Sequence, residues 1–389
     1  MTRDVGAVGV GYSDPETFTD YRLSTMSKEE QAFAAITAAL EHADADPDDI
    51  DVALFCTVDG FEGTFRVERT LEVLGMGNDI PVISINTGGT AGGSGVKVAY
   101  EYLASGKYDT ALVYGSPSFD SVVEAQPVMN TNADPLFERN FVTAIQMGAL
   151  PSSGYMELSG ATLEDFAKVA ARNYQNAAMN PYAHRNEGKT VEEVLDSPMV
   201  CWPLRRAMTC PVSSGAAAMV MASEATAHEH CDTPVWVEDI DSISNTFETG
   251  YRTMDWFPKL ETLADRVYER VDVEDPLEEF DVVETFNPYI PFEMIEYEAM
   301  GLCEKGEAKH LVRDGVTARD GALPVNASGG TLATNSGICA SLSRHTEIVL
   351  QLMGEAGERQ IEGAERGVAQ SWGANLGQFQ QMAIFSTSR

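Results

Sequence analysis

The feature that most restricts what this chain can fold into is a rhythm in its first hundred residues. Short apolar runs alternate there with stretches whose apolar residues recur at helical spacing. Val5–Val10, Val52–Thr57, Val82–Asn86 and Thr110–Tyr114 read as strands. Between them Lys28–His42, a stretch near Thr64–Leu74, and Gly92–Ala104 read as helices, the first with Ser27 as its N-cap. A β-α-β-α-β order predicts a mostly parallel sheet covered by helices on both faces.

Residues 117–205 break the rhythm. They are rich in Asn, Pro, Met and aromatics, with one clear helix at Leu163–Ala177, and read as a loop domain inserted over the sheet. Ala216–Ala222 resumes as a strand. A second round follows: strands at Val235–Ile240 and Val282–Phe286, a helix from near Pro291, Pro324–Asn326 entering a Gly-rich turn, a helix at Cys339–Met353, and strands at Val368–Trp372 and Gln381–Phe385. Two similar rounds suggest an internal duplication, with residues 1–232 as one half and 233–389 as the other, packed face to face. The chain's 389 residues suit two domains or one double-unit fold, and 44% hydrophobic content suffices for a large core.

The formal net charge of −34, from 60 acidic and 26 basic residues, repels nucleic acid and anionic membranes. The acids are dispersed, as in Asp44, Asp46, Asp48, Asp49, Glu278, Glu279, Asp281, Glu355, Glu358 and Glu362. A dispersed acidic coat with few lysines fits a protein that works in molar salt. No run of about 18 apolar residues exists, and the N-terminus shows no apolar signal-peptide core, so a soluble cytoplasmic protein is expected.

Six cysteines (Cys56, Cys201, Cys210, Cys231, Cys303, Cys339) form no CxxC pair, which argues against a zinc ribbon or redox motif within this chain. They read as buried thiols. His228-Glu229-His230 is the closest approach to a metal-ligand spacing and reads as solvated; no metal is expected.

Several segments in order resemble one family. Asn86-Thr87-Gly88-Gly89-Thr90-Ala91-Gly92-Gly93-Ser94-Gly95, Asn180-Pro181-Tyr182-Ala183-His184, Cys210-Pro211-Val212-Ser213-Ser214-Gly215-Ala216-Ala217-Ala218, Met300-Gly301-Leu302, and Pro324-Val325-Asn326-Ala327-Ser328-Gly329-Gly330 are similar to motifs of the thiolase superfamily, in its archaeal and sterol-carrier-protein-type group. The resemblance covers nearly the whole chain. It implies an α-β-α-β-α sandwich of two βαβαβ halves with an inserted loop domain, commonly a homodimer. It also implies acyl-coenzyme A as substrate, and in archaeal members a separate small partner with an OB-fold and a zinc ribbon.

The same resemblance exposes departures. The family's nucleophilic Cys opens the helix after the first motif; here that place falls on Gly89 or Thr90, and no Cys lies between Cys56 and Cys201. The family's His-Asp-Ala-Phe becomes Phe286-Asn287-Pro288-Tyr289, with Phe286 at the His position. Its Gly-His-Pro becomes Asn335-Ser336-Gly337, with Ser336 at the His position. The final Gly-rich turn reads Trp372-Gly373-Ala374-Asn375-Leu376-Gly377.

Candidate catalytic residues are therefore Thr90, Asn287, Tyr289, Ser336 and Cys339, each with a bland alternative. Thr90 is a nucleophile or a helix cap. Asn287 hydrogen-bonds a thioester oxygen or caps a helix begun by Pro288. Tyr289 is a proton donor or a core aromatic. Ser336 with Asn335 supplies oxyanion-type donors or an N-cap. Cys339 is a catalytic or a buried inert thiol. Gly89, Gly329, Gly330, Arg205 and Arg206 are candidate coenzyme A contacts, the arginines toward phosphate or else toward neighbouring acids. The Gly88–Gly95 run is no phosphate loop, since no Lys-Ser/Thr follows its second glycine. The function expected is carbon–carbon bond chemistry on acyl-CoA, acetyltransferase-like with a non-standard site. Alternatives are an aldolase-like lyase on β-hydroxyacyl-CoA and a non-catalytic acyl-CoA-binding subunit.

Overall fold

The computed structural model describes residues 3–57, 68–76, 80–119, 143–253, 255–374 and 376–389, with residues 125, 129, 130, 134 and 136. The start of the helix expected near Thr64, and Asn375 of the last Gly-rich turn, lie outside the described residues; Glu68–Val73 is helical.

Eleven strands are present among the described residues: β1 (Val5–Tyr12), β2 (Val52–Cys56), β3 (Val82–Ile85), β4 (Thr110–Gly115), β5 (Met199–Cys201), β6 (Leu204–Arg205), β7 (Ala217–Ser223), β8 (Val235–Ser244), β9 (Val282–Glu284), β10 (Arg366–Gly373) and β11 (Phe379–Ser386). Seven longer helices matter here: α1 (Lys28–His42), α2 (Ala91–Ala104), α3 (Ala144–Ser159), α4 (Leu163–Ala177), α5 (Pro258–Arg270), α6 (Ile290–Ala299) and α7 (Ile338–Met353). Helix α1 starts on a capping box: the Glu30 amide donates to Ser27 Oγ (3.2 Å) and the Ser27 amide to Glu30 Oε2 (2.8 Å).

Nine strands form one sheet in the order β3-β2-β4-β7-β1-β8-β11-β10-β9. Contrary to the expected mostly parallel sheet, only β2–β3, β2–β4 and β9–β10 are parallel. The pairs β4–β7, β1–β7, β1–β8, β8–β11 and β10–β11 are antiparallel. Helix crossovers deliver parallel neighbours, whereas the long insertion before β7 and the short connection from β10 to β11 bring the chain back in the opposite direction. The order is palindromic about β1 and β8. A single bridge from Val283 to Val325 supplies, beside β9, the counterpart of β3.

Helices α2 and α7 pack against each other and against strands on both sides of the palindrome. Their Val96, Ala99, Leu103, Leu342, Ile348 and Val349 share one core with Val5, Leu54, Met219, Val235 and Phe385. Helix α1 covers the outer face of the first strands through Ala32, Ala35, Ile36 and Ala39. Helix α5 covers β8 and β11. The result is a large mixed sheet with α2 and α7 on one face and α1 and α5 on the other, the layered α/β arrangement that the sequence motifs implied. Between β4 and β7 lie α3, α4 and the β5–β6 hairpin. Helix α3, with Pro151 inside it, is not apparent in the sequence.

Candidate functional site

Helix α2 begins in the middle layer, and the turn leading into it, Thr87–Thr90, is clamped from two sides. From α7, Ser341 Oγ accepts the Gly92 amide at 3.0 Å. From the end of β10, Gly373 lies directly over the turn. A methyl group on Gly89 would stand 2.7 Å from the Trp372 carbonyl oxygen and 3.4 Å from Phe286. The first and last motifs of the chain, with Phe286 of the second, thus meet at the start of α2. Phe286 and Trp372 pack edge to face at 5.6 Å, and Phe292 adds to the cluster at 5.5 Å from Trp372.

Thr90 occupies the N-cap position of α2 and is buried, but its side chain does not cap the helix. Its hydroxyl donates to the Thr87 carbonyl at 2.7 Å. Thr87 and Ser94 hydroxyls pair at 2.8 Å.

Asn287 is fully buried. The helix after it begins at Ile290, so Asn287 does not cap it; its Oδ1 instead accepts the Leu332 amide at 3.2 Å, at the start of the short helix Gly330–Ala333. Its Nδ2 donates to Glu293 Oε2 at 2.6 Å and to Asn173 Oδ1 at 3.3 Å. Glu293 also accepts from Asn173 (2.9 Å), Asn326 (3.1 Å), Tyr297 and Arg172, whose guanidinium neutralises it. Every polar atom of the Asn287 amide is therefore engaged.

Tyr289 is buried, and its hydroxyl donates to the Ala144 carbonyl at 2.6 Å; burial pushes the phenol's pKa up. Ser336 is 1% exposed, and its Oγ has no hydrogen-bond partner, while its carbonyl accepts the Ser118 amide at 3.2 Å. Cys339, in the first turn of α7, is buried with its sulfur packed over Gly115 at the end of β4.

The candidate coenzyme contacts fall into three places. Gly89 is in the clamped turn. Gly329 and Gly330 both have positive φ, and a side chain on either would collide, with Ala177 or with the Asn287 amide. They serve close packing of α4 and Asn287. Arg205 and Arg206 lie at the β5–β6 hairpin. Arg205 Nη1 donates to the Ser197 carbonyl at 2.7 Å, Arg206 is exposed, and neither makes an ion pair among the described residues.

Three features escape a reading of the sequence. Glu296, fully buried, accepts Trp372 Nε1 at 3.0 Å behind the aromatic cluster; burial, reinforced by the Glu293 charge, holds its carboxyl well above the ordinary range. Glu284 pairs with Arg344 at 2.6 Å and with Ser328; burial pushes it up to about 7 against the opposing pull of Arg344. Cys210 lies against both the second and the third motif. Its amide donates to the Pro288 carbonyl at 2.8 Å, and its sulfur accepts from Asn335 Nδ2 at 3.1 Å. Nothing in the local sequence marks that thiol, because its partners lie more than 70 residues away.

The site thus presents hydroxyls, engaged amides and a tight glycine turn at a helix start, with no thiol in that turn. Among the described residues no helix is long and apolar enough to cross a membrane, and no cluster of three metal-type ligands is present.

Comparison with known proteins places these features in a lineage. Residues 17–195 match the thiolase N-terminal domain, and residues 265–387 match the thiolase C-terminal domain-like family. An acetyl-CoA acetyltransferase of Methanothermobacter thermautotrophicus is 30% identical over 381 residues, covering 96% of this chain and 97% of that protein. Sterol carrier protein 2 of Bos taurus is 30% identical over 306 residues, covering 74% of this chain and 55% of that protein. A solved structure described as an Ltp2-ChsH2(DUF35) aldolase superposes with a TM-score of 0.85 at 21% identity, covering 99% of this chain and 98% of that one.

Proposed function

Because this chain belongs to the thiolase superfamily, we propose that it makes or breaks a carbon–carbon bond in an acyl-coenzyme A thioester without forming an acyl-enzyme, as an aldolase-like lyase. One observation carries this reading. The residue that opens α2 is a buried threonine whose hydroxyl is given to the Thr87 carbonyl. Acyl transfer through an enzyme-bound ester needs a nucleophile beside a base. The Thr90 hydroxyl proton is already committed, and the stretch Asn86–Gly95 that carries it contains no histidine. Retro-aldol cleavage needs a proton acceptor for the substrate hydroxyl and donors for the developing enolate. The partnerless hydroxyl of Ser336 suits the second task. The aldolase that shares this fold is in keeping with the same reading. The phosphates of the coenzyme fall to Arg205 and Arg206, cations with no carboxylate partner among the described residues.

A second reading, acyl transfer, is favoured by the acetyl-CoA acetyltransferase that matches along almost the full chain. The two separate in one experiment. The protein is incubated with acetyl-CoA and its intact mass recorded, then it is assayed for cleavage of a β-hydroxyacyl-CoA. Cleavage without a stable acetyl adduct supports the lyase. An adduct on Thr90 or any cysteine restores acyl transfer, and neither result leaves an acyl-CoA-binding scaffold.

The same reading includes a homodimer in the cytoplasm of a salt-adapted cell, with residues 1–232 and 233–389 as its two units. It also includes a small OB-fold, zinc-ribbon partner, in line with the DUF35 component named with that aldolase.

A further inference from the structure

We propose that the thiol of Cys210 is the group that carries the α-proton of the acyl-CoA substrate. The proposal rests on the reading above that the site holds an acyl-CoA.

Cys210 stands where two candidate motifs meet. Its amide is bonded to the Pro288 carbonyl, and the preceding Thr209 forms a bridge with Tyr289. Its sulfur is held by Asn335, immediately before Ser336. The Asn335 amide cannot turn over: its Oδ1 accepts the Gly337 amide at 3.1 Å, which leaves Nδ2 facing the sulfur. Asn335 is itself anchored on Ser213, whose Oγ accepts the Asn335 amide at 3.2 Å and whose amide donates to the Asn335 carbonyl at 2.8 Å. Ser213 Oγ lies 2.8 Å from His184 Nδ1. Cysteine, asparagine, serine and histidine, drawn from three separate stretches of chain, thus converge on one loop.

A second observation points to a ligand at this loop. Ser336 Oγ is buried and has no partner. A buried hydroxyl left unsatisfied is destabilising, and a substrate oxygen bonded to it would offset that cost. The other thiols stand elsewhere. Cys56 and Cys339 are wholly buried, whereas Cys210 is partly exposed. Cys201 lies on β5, Cys231 follows the short helix Ala227–His230, and Cys303 sits among Glu298, Glu304 and Glu307. Burial raises the Cys210 pKa against the smaller lowering by Asn335, so the sulfur carries its proton near neutrality. That suits delivery of a proton more than nucleophilic attack.

In cleavage of a β-hydroxyacyl-CoA, the Cα–Cβ bond breaks and its electron pair moves to the thioester enolate. In the same concerted step the Cys210 S–H proton passes to Cα while the sulfur takes up the proton of the β-hydroxyl, so the hydroxyl proton leaves directly onto the sulfur as the carbonyl product forms. The thiol is regenerated and no oxidant or reductant is needed.

The test is exchange of the methyl protons of acetyl-CoA with deuterated solvent at alkaline pD, where a share of the thiol is ionised and the same proton transfer runs in reverse, followed by NMR, beside calorimetric binding of acetyl-CoA. Wild type is expected to exchange, and Cys210→Ala to lower the exchange kcat about 100-fold with KM unchanged. Cys210→Ala exchanging at the wild-type rate, or wild type binding acetyl-CoA without exchanging it, overturns the assignment while leaving the lyase reading to its own cleavage assay. Failure of wild type to bind acetyl-CoA removes the underlying reading and the proposal with it. If Cys210→Ala does not fold, iodoacetamide labelling of wild type decides. Protection of Cys210 by saturating acetyl-CoA supports the role, and equal labelling with and without it overturns it.

Discussion

Gly373 lies over Gly89 backbone to backbone: a methyl group on Gly373 would stand 2.5 Å from the Gly89 nitrogen and 2.6 Å from the Thr90 nitrogen. Both contacts are with main chain, so neither neighbour can swing aside. Gly373→Ala must push the turn before α2 away from β10. The expected outcome is a loss of about 1–3 kcal/mol in urea unfolding, together with loss of turnover out of proportion to the loss of folded protein. Unchanged activity would show that the clamp does not shape the site.

The pair Arg172–Glu293 makes a sharper prediction, because Glu293 is fully buried and holds Asn287 in place. Arg172→Met leaves an uncompensated buried carboxylate and is expected to cost roughly 3–5 kcal/mol. Adding Glu293→Leu removes that charge, so the double variant should recover part of the loss despite lacking both groups. Chemical denaturation of the three proteins checks the order. Equal destabilisation by the single and double variants would contradict it.

His345, fully buried on α7, is held at about 4 by burial, and His184 likewise at about 4. A histidine whose folded pKa lies below its unfolded value of 6.5 binds more protons when unfolded. Its contribution is present above 6.5 and is lost as the pH falls toward 4. Between about pH 7 and pH 5 the His345 contribution amounts to roughly 2 kcal/mol. Wild type is expected to weaken over that range, and His345→Gln to weaken less. Parallel stability-against-pH curves would refute the assignment.

The dispersed negative charge should make stability depend on salt. With 60 acidic against 26 basic residues, self-repulsion is screened as ionic strength rises. The melting temperature is expected to climb from low salt to molar KCl. A flat profile would argue against salt adaptation.

Much of the fold is legible because it is written locally. Lys28–His42 and Leu163–Ala177 have the boundaries read from sequence, since Ser27 with Glu30 and Thr162 with Asp165 mark their starts. Strand positions follow from apolar runs. Strand direction does not, because no run of residues states which strand it will meet, and the return of the chain as β7 depends on the insertion before it. Helix α3 is disguised by its Gly, Pro and Ser content. In the site, motif order locates the turn at Thr90 and the loop at Ser336. The fate of Asn287 is not legible, since its partners Asn173, Glu293 and Leu332 come from three segments. Cys210 reads as a plain buried thiol for the same reason: its meaning comes from Asn335, 125 residues away.

Among the described residues, the two sides of the sheet are stitched by only two residue pairs, Gly6 with Trp236 and Ala7 with Val235. The real bond between them is the pair of helices α2 and α7, each clothed by strands from both sides. A chain severed between Asp232 and Thr233 would leave each fragment with a bare apolar face and one helix short of its wrapping. Such fragments would recover order only on meeting each other. The two sides of the sheet are thus mutually dependent, and neither can be discarded or exchanged alone.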